Sequence, residues 1–405
     1  MKVVIVGGGL AAASAAEELR IAGHEGDVTI VGAEPHPPYE RPPLSKAVLL
    51  GTAAPESTLV HDAGWYAEQG IDLRTGATVT ALDLDRCHVL VGDEELAYDR
   101  LLLATGATPR RLAMVDDAGV PAAYLRTVDD AVALRPRLTG HVLVVGAGWI
   151  GLEVAAAARA AGARVTVVDP AEEPLLAVLG PRLGHVFADL HREHGVDLRL
   201  GTGLESVALD EDGRTRALLS DGTEVSPDLV VVGIGAEPLD GLARAAGLAT
   251  DHGILVDARL RASDPHVHAA GDVAQHDHPV LGRRIRVEHW DTAIHQGRAA
   301  ARAMLGDDAP YTRLPYFFTD QYDLGMEYVG HVAPAGSGAE PDEVVVRGDE
   351  ATRVLTAFWL REAAVVAAAH LNDWDAIDDL RALVGRRVPV EALRDPGVPL
   401  ADLHG

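Results

Sequence analysis

Two glycine-spaced segments could do recognisable chemistry. Gly7-x-Gly9-x-x-Ala12 and Gly146-x-Gly148-x-x-Gly151 each follow an apolar run and precede an alanine-rich stretch. In this pattern the first glycine allows a tight turn and the second lets the backbone approach a diphosphate. The small third residue lets helix and strand pack closely. An acid lies downstream of each: Glu34, 27 residues after Gly7, and Asp169, 23 residues after Gly146. Each can accept hydrogen bonds from a ribose. Pro170, Ala171, Glu172 and Glu173 follow Asp169, where a 2′-phosphate reader would place arginine. The second site is therefore expected to take NADH rather than NADPH.

The elements around these turns repeat. Residues 3–12 read VVIVGGGLAA and residues 142–151 read VLVVGAGWIG. A second strand follows each helix, at Asp27–Gly32 and Arg164–Asp169. The fold class expected is α/β, with two Rossmann-like dinucleotide-binding domains, one for FAD and one for NAD. A small α+β C-terminal domain follows. The FAD-binding domain is expected to be split over 1–109 and 236–310, because Ala270-Gly271-Asp272 suggests a strand returning to it with Asp272 on a ribityl hydroxyl. The NAD-binding domain takes 110–235 and the last domain 311–405. A helix is expected from about Thr292 to Leu305 and another near Trp374–Val384. Alternation predicts strands at Glu343–Val346 and Val354–Leu360. Ala333–Asp342 reads as a surface loop.

Composition narrows the function. The chain has 405 residues, 61 of them acidic against 35 basic, for a formal charge of −26. That balance argues against nucleic acid as a partner, since phosphate contacts need clustered cations. No apolar run is long enough for a membrane span, and no membrane partner is expected. The start of the chain imitates a secretory signal, but Gly7, Gly8 and Gly9 interrupt the run, so a cytoplasmic location is expected. The one cysteine, Cys87, excludes a Cys-X-X-Cys pair, a thiolate zinc site and a self-contained iron–sulfur cluster. No metal site is expected.

The chain resembles the FAD-dependent NADH:ferredoxin reductases of oxygenase systems, the group with putidaredoxin reductase and the biphenyl dioxygenase reductase. The resemblance is carried by GGGLAA at 7–12, YERPPLSK at 39–46, LLLATGATPR at 101–110, LRT at 125–127 and GAGWIGLE at 146–153. GIGAEP at 233–238, AAGDVA at 269–274, EHWDTAIHQGRAA at 288–300 and PYFFTDQYD at 315–323 continue it. It implies a glutathione-reductase-like fold. It also implies that Ala11, Arg41, Lys46, Val79, Arg126, Asp272 and Trp290 lie on FAD, with Glu34 on its adenosine ribose. Leu10, Pro42, Ala104, Thr105, Gly106, Gly271, Glu288, His289, Ala293 and Phe318 complete the expected FAD side. Trp149, Ile150 and Gly235 join the second glycine turn on the nucleotide side. Lys46 and Glu153 are expected to form an ion pair near the flavin, where nicotinamide stacks, and are the candidate catalytic residues.

The implied chemistry is hydride transfer from NADH to FAD, then single electrons to two molecules of a two-iron ferredoxin. No general base is needed, and His289 reads as a helix-entry or flavin-edge residue. Cys87 reads as structural, so electrons leave the flavin directly. A monomer is expected. Phe318 stands where many relatives carry tryptophan. Glu173 and Ala177 stand where relatives often carry arginine, which predicts weaker NADH binding. Six aromatics crowd Tyr311–Tyr328, and at least half of them are expected in a domain core. Both this chain and most such ferredoxins are acidic, so docking needs a local basic patch, with Arg283, Arg284, Arg286 and Arg313 as candidates. The alternatives are an NADH:rubredoxin reductase, an apoptosis-inducing-factor-like FAD/NAD-binding protein with slow turnover, and a flavin oxidase.

Overall fold

The computed structural model describes residues 1–333, 341 and 343–403. The chain folds as two compact units. Unit one comprises Met1–Arg41, Glu56–Thr108 and Ala236–Pro315, and unit two Pro42–Pro55, Pro109–Gly235 and Tyr316–Gly405.

Unit one is built on a five-stranded parallel sheet, ordered Val267–Ala269, Arg100–Leu103, Val3–Val6, Val28–Val31, Ile71–Arg74. Val3–Val6 is buried at every position, as expected of a parallel strand covered on both faces. Helix Leu10–Ile21 buries Ala11, Ala12, Ala13, Ala15 and Ala16. These small side chains admit helix Trp290–Met304 at short range. A Cβ on Gly297 would lie 2.4 Å from the Ala11 carbonyl oxygen. At the rim of this contact, Arg302 donates to the buried Glu18 at 2.6 Å and Arg298 to Glu17 at 3.2 Å. Cys87 occupies the turn joining Val79–Asp83 to His88–Val91, with its thiol 3.7 Å from the Leu84 carbonyl oxygen. Tyr311 also belongs to this unit's core.

Unit two repeats the parallel sheet, ordered Asp197–Leu200, Arg164–Asp169, His141–Val145, Leu229–Val232, Ala122–Ala123. Its C-terminal part is a five-stranded antiparallel sheet, ordered Tyr316–Gln321, Leu324–Gly330, Ala364–Leu371, Val354–Arg361, Glu343–Asp349. Helix Ile377–Leu383 packs on that sheet through buried Leu380 and Leu383. Helix Leu176–Glu193 is bent where Gly180 takes φ 75° ahead of Pro181. The expected loop at 333–342 lies largely outside the described residues. No described helix is long and apolar enough to cross a membrane.

Replacing Gly297 with valine forces the two helices apart. The expected loss is about 1–3 kcal/mol, read as a lower thermal midpoint. A second prediction concerns acid. Burial pushes the imidazoles of His191, His268 and His276 down to about 4. Unfolded histidine binds its proton near 6.5, so between about pH 6.5 and 4 the unfolded chain holds more protons than the native one. Stability therefore falls as pH is lowered through that window. Thermal midpoints recorded across it should drop steadily, and a flat profile would contradict the assignment.

Candidate functional site

Strand Val3–Val6 ends at Gly7, whose φ of +122° favours glycine and where a Cβ would meet the Ala104 carbonyl oxygen at 2.0 Å. Gly9 caps helix Leu10–Ile21 without a side-chain hydrogen bond, and a Cβ there would meet nothing within 4 Å. This leaves an uncapped helix start with open space before it, as a diphosphate requires. Around this turn the structure gathers Ala11, Gly271 and Ala293. A Cβ on Gly271 would lie 3.2 Å from Ala11 Cβ and 3.9 Å from Ala293 Cβ. The Gly271 amide donates to Gln296 Oε1 at 2.9 Å, a buried bond that fixes the Gly271–Val273 turn carrying Asp272. Thr105 Oγ1 donates to the Leu239 carbonyl at 2.8 Å, and Gly106 accepts from the Leu239 amide at 2.9 Å. Val79 is at the edge of the unit's core.

Glu34 is already partnered. Its carboxylate accepts from Arg41 Nη2 at 2.6 Å and from the Tyr39 hydroxyl, which itself accepts from Arg41 Nη1 at 2.9 Å. Burial disfavours charge on Arg41, but Tyr39, Glu34 and Asp272 outweigh it and raise its pKa. Tyr39 is a residue that sequence reasoning missed, although it opens the quoted YERPPLSK segment. His289 caps helix Trp290–Met304, taking the Asp291 amide on Nδ1 at 3.3 Å. Glu288 pairs with Arg286, whose Nη1 also donates to the Asp272 carbonyl at 3.1 Å. Arg313 makes a two-pronged bond to Asp291, at 2.8 and 2.7 Å. Burial alone would raise the Asp291 carboxyl, but His295 and Arg313 hold it down to about 2. Two of the four arginines expected to form a docking patch are thus committed to carboxylates.

In unit two the second turn repeats this geometry. Gly146 takes φ +108°, and a Cβ there would meet the Gly233 carbonyl oxygen at 2.4 Å. A Cβ on Gly151 would lie 2.0 Å from the Gly146 carbonyl oxygen, so this third position must be glycine. Gly148 starts helix Trp149–Ala160, again without a side-chain cap. Asp169 accepts the Ala147 amide on Oδ2 at 2.7 Å and the Ala171 amide on Oδ1 at 2.8 Å. It therefore braces the glycine turn, a role the spacing alone does not reveal. Gly235 accepts from the Arg110 amide at 2.9 Å. Arg126 lies in this unit, its amide donating to Asp130 Oδ2 at 3.0 Å. Glu173 faces His185 at 3.2 Å, and Ala177 is exposed.

Glu153, on the first turns of helix Trp149–Ala160, is 5% exposed. Lys46 Nζ donates to its Oε1 at 2.7 Å, Thr319 Oγ1 to the same oxygen at 2.7 Å, and Ser45 Oγ to Oε2. Lys46 also stands over the Phe318 ring, 5.5 Å from its centroid. Pro42 opens the short 3-10 turn that delivers Ser45 and Lys46. Trp149 packs against Phe317 at 4.9 Å and edge-on to Phe187 at 6.1 Å, whereas Ile150 is exposed. Phe317 in turn stacks on Tyr328 at 4.5 Å. Ser45, Thr319 and Gln321 were not singled out from sequence. The signal was period two: Thr319 and Gln321 are buried, and Asp320 between them is exposed. Among the described residues, no group of three or more His, Cys, Asp or Glu is placed to hold a metal ion.

Residues 1–297 match the family model described as pyridine nucleotide-disulphide oxidoreductase, and 316–404 match the reductase C-terminal model. The chain is similar to the ferredoxin–NAD(+) reductase component of the anthranilate 1,2-dioxygenase system of Burkholderia cepacia, 41% identical over 98% of each chain. It is 39% identical to putidaredoxin reductase of Pseudomonas putida, over 99% of this chain and 96% of that one. The crystal structure of a covalent putidaredoxin reductase–putidaredoxin complex matches with a TM-score of 0.93 and 37% identity, covering 99% of this chain and 97% of that one. With both fingerprints built and the matches spanning nearly its whole length, the chain belongs to the pyridine nucleotide-disulphide oxidoreductase family.

Proposed function

We propose that this chain is an FAD-dependent NADH:ferredoxin oxidoreductase supplying a two-iron ferredoxin that serves a monooxygenase or dioxygenase. One observation carries the reading. Each unit starts a helix from an open, uncapped glycine turn, while the single cysteine sits in a hairpin turn. Two turns accommodate two dinucleotides, and one thiol cannot form an intrachain dithiol relay. The relatives that are named as ferredoxin reductase components support the class of acceptor.

The residues fit both nucleotides. The space before Gly9 suits the FAD diphosphate, with Leu10, Ala11, Ala12, Ala104, Thr105, Gly106, Gly271, Asp272 and Ala293 around it. Glu34 and Arg41 serve its adenosine end, and Val79, Glu288, His289 and Trp290 complete the set from this unit. When bound, FAD supplies a hydride acceptor that can release its electrons singly. Gly146, Gly148, Gly151 and Asp169 take NADH, with Trp149, Ile150 and Gly235 beside them. Lys46 and Glu153 serve the nicotinamide as a fixed charge pair, with Phe318 against Lys46. The protein's task is orientation and exclusion of water, since hydride transfer needs no general base. A cytoplasmic location is part of this proposal, because NADH is supplied there.

Anaerobic rapid mixing of the holoprotein tests the reading. NADH should bleach the bound flavin faster than NADPH by about tenfold or more, the effect of roughly 1.4 kcal/mol in the barrier. A two-iron ferredoxin should then restore the colour rapidly. Slow bleaching, or reduced protein that ferredoxin cannot reoxidise, overturns the reading. NADH oxidation in air at the same rate without a carrier would instead indicate an oxidase. For docking, reversal of Arg283 and Arg284 to glutamate should raise the KM for ferredoxin on the order of tenfold at low salt. Unchanged kinetics would remove these two residues from the docking surface.

A further inference from the structure

The hydrogen bonds around Glu153 continue beyond its direct partners. Thr319 Oγ1 donates to Glu153 Oε1 at 2.7 Å and stands 3.2 Å from Gln321 Nε2. Gln321 Oε1 stands 2.8 Å from His191 Nε2. Thr319, Gln321 and His191 are all buried, His191 completely. His191 comes from helix Leu176–Glu193 and the other two from strand Tyr316–Gln321.

Proton counting gives this chain one direction. A carboxylate only accepts, so the single hydroxyl proton of Thr319 is spent on Glu153. Thr319 must then accept from Gln321, which fixes the amide with its NH2 toward Thr319. The amide oxygen therefore faces His191, and His191 Nε2 must carry the proton. His191 Nδ1 is the bare nitrogen, and it has no hydrogen-bond partner among the described residues. Burial keeps the ring neutral at neutral pH, consistent with one proton on it. Every donor in the series thus points toward Glu153.

We infer that Thr319, Gln321 and His191 are positioning residues for the reaction, a one-way hydrogen-bond chain that fixes the Glu153 carboxylate and, through it, the Lys46 ammonium. The inference rests on the reading that this pair serves the nicotinamide. Lys46 is a flexible cation at the N-cap of the short helix Ala47–Leu50, just after the 3-10 turn. It holds one position only if its carboxylate does. Glu153 Oε1 accepts from both Lys46 and Thr319, so freeing Thr319 from its own partner loosens the oxygen on which Lys46 rests. No proton needs to travel along the chain; its work is orientation.

The test combines two measurements on the holoprotein. In the first, Thr319→Val and Gln321→Leu should slow flavin reduction by NADH about tenfold with the dissociation constant for NAD+ unchanged within about twofold. Thr319→Ser, which keeps the hydroxyl, should stay within about twofold of the parent. In a Glu153→Gln background, Thr319→Val should add nothing, because the effect runs through Glu153. Equal slowing in both backgrounds, or full speed in Thr319→Val, overturns the inference. The second measurement is nitrogen-15 NMR of labelled histidine. His191 should show the Nε2–H tautomer with an unprotonated Nδ1, and Gln321→Leu should move its signals. An Nδ1–H tautomer overturns the direction of the chain. If the parent protein fails to oxidise NADH, the functional reading fails, and the NMR result still judges the hydrogen-bond chain separately.

Discussion

Unit two depends on how it buries one negative charge. An isolated carboxylate in a protein interior costs several kcal/mol, and the cost is met only by an opposite charge together with hydrogen bonds. Glu153 obtains these from two segments far from it in sequence: Ser45 and Lys46 at the end of the 3-10 turn, and Thr319 on the C-terminal sheet. The pair therefore ties the Pro42–Pro55 loop and the C-terminal sheet to the nucleotide-turn helix. Removing any one donor leaves a buried acceptor short. That is worse than never having buried it, which makes the arrangement specific rather than merely stabilising.

The same constraint separates what was legible in the sequence from what was not. The glycine turns were legible because their requirement is local. Gly7 and Gly146 need positive φ and close backbone approach, and Gly151 admits no Cβ. No distant residue can relax those demands. The helix beginning near Thr292 was legible in its body, but its start at Trp290 depends on the His289 cap. The partners of Glu153 beyond Lys46 were not legible. Thr319 and Gln321 face inward only because strand Tyr316–Gln321 pairs with Leu324–Gly330 in the observed register. His191 reaches Gln321 only across a separation of 130 positions. A period-two pattern reports that residues are buried, not which carboxylate they meet.

Charge pairing explains the remaining differences. The arginines near EHW and PYFF looked like a surface patch because sequence shows each charge without its partner. In the fold, Arg313 is spent on Asp291 and Arg286 on Glu288. A paired arginine contributes little field at a distance, since its carboxylate cancels it beyond a few ångströms. In a chain of net charge −26, uncompensated cations are the ones that could guide an acidic partner. Of the four candidates, Arg284 is exposed and lies on strand Arg283–Ile285.

Asp169 has an architectural role beside the recognition proposed for it. Each of its oxygens accepts one backbone amide, from Ala147 within the glycine turn and from Ala171 beyond the strand. A carboxylate has about four acceptor positions, so two remain for hydroxyl donors. The two amides fix where those positions point, which a freely rotating side chain could not do. A ribose hydroxyl can donate to such a group, whereas a phosphate in the same place would bring like charge against it. Glu172 and Glu173 follow closely in sequence and add to that repulsion. If Asp169 reads the ribose as proposed, the carboxylate that favours a free hydroxyl is one whose geometry the turn itself has set. The glycine turn and the proposed nucleotide reader are thus joined by one hydrogen bond, from the Ala147 amide.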